Sequence, residues 1–109
     1  MRPTRNKIAR LKATRSRPVR EMHGGEPYVY YPLGKYIVAA PGVCGGRPTF
    51  KYTRLEVSTI LSLIATGETV DQVVKAYSLS SITPKAVAEA ITLANKALVQ
   101  SAKVLQPVA

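Results

Sequence analysis

Tryptophan is absent from this 109-residue chain, phenylalanine, cysteine and histidine occur once each, and six acids face sixteen lysines and arginines. Each shortage excludes something. A single thiol, Cys44, rules out an intrachain disulfide, so the fold must hold without staples, and a cytoplasmic location is expected because reducing compartments favour that economy. His23 stands alone and the acids are scattered. No metal-ligand spacing, carboxylate pair or nucleophile beside a base can be named, so neither an enzyme nor a cofactor is expected. No apolar run reaches the roughly eighteen residues of a membrane span, and the start lacks the apolar stretch of a secretory signal. No membrane association is expected. With so few other rings, aromatic packing must come from six tyrosines.

What is present is a modest core and an uneven charge. Apolar residues make up 46% of the chain, enough for one domain. The formal charge is +10, and Arg2, Arg5, Lys7, Arg10, Lys12, Arg15, Arg17 and Arg20 occur without an acid among the first twenty residues. The remainder is close to neutral. Together with Pro3, Pro18, Pro27 and the Gly24-Gly25 pair, this predicts an unfolded or loosely helical basic arm over residues 1–27. Eight such cations suit phosphates, and full engagement would give a log–log salt slope of roughly −7. A single folded domain over residues 28–109 follows.

Tyr28 to Tyr31 and Lys35 to Ala39 read as two short strands separated by Pro32 and Gly34. After a glycine-rich turn at Pro41 to Gly46, residues 47–57 read as a further extended run with Phe50, Tyr52 and Leu55 turned inward. Helical spacing then takes over. Val57, Ile60, Leu61 and Ile64 form a stripe that Gly67 stops, predicting a helix over 57–66. Thr69 caps a second over 69–77, with Val70, Val73, Val74 and Tyr77 on one face. Thr83-Pro84 opens a third over 83–105, since Pro at the first helical position lacks only an N–H that would be unpaired anyway. Its expected stripe is Val87, Ile91, Ala94 and Leu98. The fold class is thus α+β, mainly α, with short N-terminal strands before three helices at helix-turn-helix spacing.

Gly45-Gly46-Arg47-Pro48, Thr53-Arg54-Leu55-Glu56-Val57, Ala65-Thr66-Gly67, Val73-Val74-Lys75-Ala76-Tyr77 and Ile82-Thr83-Pro84 occur in that order. Over residues 36–98 the chain resembles the bacterial and archaeal family catalogued as domain of unknown function 433. Where the common pattern has Gly before Thr-Arg, this chain has Tyr52. The resemblance implies a homeodomain-like or winged-helix-like helix-turn-helix fold and, for some members, an antitoxin role beside a PIN-like nuclease toxin.

A helix-turn-helix would place Thr83, Lys85, Ala86 and Glu89 toward base edges, with Thr83 and Lys85 as candidate nucleic-acid contacts beside the arm. Residues 53–109 carry five cations against four acids, so the motif itself has little electrostatic footprint. Tyr28, Tyr30, Tyr31, Tyr36, Phe50 and Tyr52 interleave with cations as in a stacking platform for single strands, but packing of a small sheet is the more economical reading. Gly42, Gly45 and Gly46 read as a hairpin turn, since no Lys-Ser/Thr follows them as in a phosphate loop. Beyond Ala97 the apolar residues spread around the third helix. Leu98, Val99, Ala102 and Leu105 are therefore expected to meet a partner or a second copy. The resulting expectation is a homodimeric DNA-binding regulator of antitoxin type, the alternative being an adaptor that binds a PIN-like nuclease toxin without reading DNA sequence.

Overall fold

The computed structural model describes residues 17–105. It is an α+β arrangement in which strands β1 (Val19–His23), β2 (Glu26–Pro32), β3 (Ile37–Ala39) and β4 (Pro48–Phe50) precede helices α1 (Val57–Ala65), α2 (Val70–Ala76) and α3 (Pro84–Leu105). The strands lie in sequence order and every pair is antiparallel.

The strands are more substantial than the sequence reading allowed. β2 runs for seven residues, and β1, five residues long, falls inside the span expected to be an arm. Gly24 and Gly25, at φ of 61° and 82°, supply the left-handed two-residue turn that a tight hairpin requires, so β1 folds back on β2 with Val19 opposite Tyr30. Arg20 therefore lies in a strand. The stretch from Arg47 to Val57 is not one extended run either. β4 ends at Phe50, and a turn at Lys51 to Thr53 follows in which Thr53 N–H and Oγ1 both donate to the Phe50 carbonyl.

Because side chains alternate across a strand, the sheet contributes to two apolar clusters. Ile37 and Phe50 pack with Val57 and Ile60 of α1, Val73 of α2, Ile82, and Ala86, Val87 and Ala90 of α3. Val38 instead joins Tyr28, Tyr30 and Ala40, with Val19 and Val43 at the edge. Tyr28 and Tyr30 are thus core residues, as expected of a chain short of other aromatics.

The helix signals in the sequence are realised locally. Gly67 follows α1 and its N–H bonds to the Ile64 carbonyl. Thr69 and Gln72 form a reciprocal capping box at the start of α2, and Thr83 Oγ1 accepts from Ala86 N–H at the start of α3. The phase of α3 differs from the expected stripe. Its inward residues are Ala86, Val87, Ala90 and the half-buried Leu93, whereas Ile91 is exposed and Leu98 is 70% exposed. The reason is tertiary: contact with β3, α1 and α2 selects the small alanines, which let the helix approach closely.

Two substitutions separate packing from polarity in this core. Ile60 is fully buried, so Ile60→Ala is expected to cost about 2–5 kcal/mol. Thr49 is equally buried but its hydroxyl has no partner among the described residues, so Thr49→Val is expected to be neutral or to stabilise by about 1 kcal/mol. Urea unfolding of both variants, followed by tyrosine fluorescence, checks the contrast.

Candidate functional site

Helix α3 is 22 residues long, about 33 Å at 1.5 Å per residue, and its two ends face different surroundings. At its start, Pro84 and Lys85 are exposed while Ala86 and Val87 point into the core. Further along, the Glu89 carboxylate accepts the backbone N–H of Lys35 at 2.8 Å and of Tyr36 at 2.7 Å. This ties the turn between β2 and β3 to the helix. A Cβ on Gly34 would lie 2.6 Å from the Glu89 carboxyl, so this position has no room for any side chain while the brace is made.

The outward face imagined for a recognition helix is therefore narrower than the sequence suggested. Of Thr83, Lys85, Ala86 and Glu89, only the first two are exposed; Ala86 is core and Glu89 is committed to the turn. Preceding them, a 3-10 turn at Ser78 to Ser80 links α2 to α3, with Ser81 in the left-handed conformation at φ 56° where a glycine would be freer. That turn exposes Ser78, Ser81 and, completely, Leu79, which no sequence pattern singled out.

At the far end, residues 94–105 of α3 are exposed, Val99 by 47%, Leu98 by 70% and Leu105 by 82%. The same helix forms one wall of an open groove of about 490 Å³ through Ala90, Leu93, Ala94 and Ala97. Val57, Ser58 and Leu61 form the opposite wall, with Leu33, Ile37 and Pro48 between them. Among the described residues the groove's only charges are Arg47 and Glu56, which pair in a two-pronged bond, Nε to Oε1 at 2.9 Å and Nη2 to Oε2 at 3.1 Å. Arg47 holds the Glu56 carboxyl below the ordinary carboxylate range.

A third assembly joins β1 to the turn after β4. Glu21 accepts hydroxyls from Tyr52 at 2.6 Å and Tyr30 at 2.8 Å, which hold its carboxyl below the ordinary range. Tyr52 N–H donates to the Tyr28 hydroxyl at 2.9 Å, and the Tyr52 ring stacks on His23 with centroids 4.6 Å apart. Lys51 Nζ stands 5.0 Å from the Tyr30 and Tyr52 ring centroids. Tyr52 was expected to be buried but is 44% exposed, its φ of 69° turning the chain sharply outward. Left-handed backbone is where Gly is least strained; here Tyr52 adopts it while its hydroxyl and ring reach Glu21 and His23 of β1.

Among the sequence-selected cations, Arg17 is exposed just before β1 and Arg20 is exposed on it, whereas Arg2, Arg5, Lys7, Arg10, Lys12 and Arg15 lie outside the described residues. Cys44 Sγ donates to the Arg54 carbonyl at 3.3 Å, within the turn that joins β3 to β4. Among the described residues no group of three or more His, Cys, Asp or Glu is placed to hold a metal, and no helix is long and apolar enough to cross a membrane.

The Glu21 cluster has an acid-side consequence. A carboxyl whose pKa is lowered in the folded state contributes stability above its ordinary unfolded value, and that stability is lost as pH falls through the folded value. Thermal unfolding midpoints measured from about pH 7 down to about pH 3 are expected to fall on the acid side. Glu21→Gln is expected to lower the neutral midpoint and flatten part of the fall, leaving the share due to Glu56. An unchanged profile would contradict the cluster's contribution.

Neither the curated proteins nor the solved structures include a significant match to this chain. A family model described as a protein of unknown function, DUF433, matches residues 37–94, from the start of β3 to the middle of α3. That span holds most of the helical core, Glu89 but not the Lys35 and Tyr36 amides it binds, and the capped starts of α2 and α3, and it is more than half the chain, so this protein belongs to the DUF433 family.

Proposed function

We propose that this chain is a non-enzymatic, cytoplasmic DNA-binding regulator of antitoxin type, built on a homeodomain-like helix-turn-helix formed by α2 and α3. The observation that carries the reading is the capped start of α3. Thr83 and Lys85 stand exposed there and Ser78 and Ser81 are exposed in the turn before it, while Ala86, Val87 and Glu89 anchor the helix from behind. Hydroxyls and a lysine at a helix start suit phosphate and base-edge contacts. Only Thr83 and Lys85 remain for base edges, so discrimination is modest and most affinity comes from the basic N-terminal residues Arg2 to Arg20.

A second reading is an adaptor that neutralises a PIN-like nuclease through the end of α3 without sequence-specific DNA binding. It is favoured by the exposure of Leu98 and Leu105 next to an apolar groove, and by the loss of Ala86 and Glu89 from the outward face. Both roles can coexist in one antitoxin, since they use opposite ends of the helix.

Fluorescence anisotropy with the gene's own upstream duplex and a scrambled duplex, at low and near-physiological salt, distinguishes the readings. The regulator binds its own duplex more tightly at both salts, and Lys85→Gln reduces that preference by about tenfold, from a discrimination of about 1–3 kcal/mol per base contact. Equal binding to the two duplexes that vanishes with salt would leave the adaptor.

A further inference from the structure

The exposed end of α3 and the apolar groove are two parts of one helix face. Ala90, Ala94 and Ala97 line the groove, and continuing at helical spacing from them come Leu98, Ser101 and Leu105, all exposed. The stripe that begins as the core wall therefore runs on, in phase, past the last contact with its own domain. Among the described residues nothing covers this face. α3 is continuous from Pro84 to Leu105, so Leu105 is held about 22 Å along the axis from Ala90 and cannot turn back into the groove.

We propose that a second copy of this chain covers it, with the two α3 helices crossing antiparallel about a two-fold axis beside Ala97 and Leu98. The proposal rests on the reading of the α3 end as a protein-binding surface and names its partner. Three observations select this occupant. Under two-fold symmetry a helix that supplies both groove wall and exposed leucines is self-complementary, with Leu98 of one copy opposite the exposed Ala97 of the other, Ser101 opposite the exposed Ala94, and Leu105 carried toward the groove. The alanine wall accepts a close helix approach at about 8–10 Å between axes, with the leucines filling the space that the alanines leave. The groove's Arg47 and Glu56 already neutralise each other, so it offers no net charge to a charged segment, and residues 97–105 carry only Lys103.

Sedimentation equilibrium of the full chain tests this. The expected mass is twice 11.8 kDa, and Leu98→Glu with Leu105→Glu weakens association by roughly a hundredfold or more while the tyrosine signals of the folded domain stay unchanged. In a Cys44→Ser background, Ala97→Cys forms an intermolecular disulfide because only residues at the axis come within reach, whereas Lys85→Cys does not. A single-chain mass at the highest concentration would overturn the proposal, and so would a dimer indifferent to the two glutamates. DNA preference is read separately. A monomer that still prefers its own duplex overturns this dimer and leaves the regulator standing; a dimer without that preference does the reverse.

Discussion

The carboxylate of Glu89 is the bond on which the rest of the arrangement depends. It joins residues more than fifty positions apart, taking two backbone N–H groups from a turn that would otherwise leave them to water. Charge-assisted bonds of this kind are stronger than neutral ones, and a pair from consecutive amides fixes orientation as well as distance. With the turn seated on α3, the rotation of that helix is set. Ala86, Val87 and Ala90 must face Ile37 and Ile60, and Lys85 must face outward. Gly34 is the complement of the brace, the one residue small enough to let the carboxylate reach the turn.

The helices were legible because their signals are local. Gly67 beyond α1, the Thr69 and Gln72 box, and Thr83-Pro84 each act within a few residues of the end they define. The phase of α3 was not legible. Hydrophobicity points to Ile91 and Leu98, while the contacts that settle the matter belong to alanines and to a glutamate on the same side. Glu89 read as facing base edges because its partners are backbone amides that no spacing reveals. β1 was missed for a related reason. Its sequence Val-Arg-Glu-Met-His carries little apolar weight, and its anchoring runs through Glu21 to Tyr52 and Tyr30, hydroxyl bonds that only the folded chain brings together. The Gly24-Gly25 pair was the available signal, read as a mark of looseness when it was the turn of a hairpin.

The same features divide α3 into two parts with different duties. Its first half is held by the core and the brace, which leaves a small exposed start at Thr83 and Lys85. Its second half is exposed among the described residues, and the groove beside it is apolar apart from one ion pair. A rigid element committed in the middle and exposed at both ends suits a protein that must hold two partners in fixed relation. The regulatory reading proposed above uses that geometry without requiring a broad recognition face.

Backbone amide exchange at Lys35 and Tyr36 tests the brace most directly, compared between the native chain and Glu89→Ala. The account predicts slow exchange at both amides in the native chain and selective loss of that protection in the variant, with the core amides of α1 retaining theirs. Equal protection in the two proteins would show that the turn is held by something other than Glu89, and the phase assigned to α3 would lose its cause.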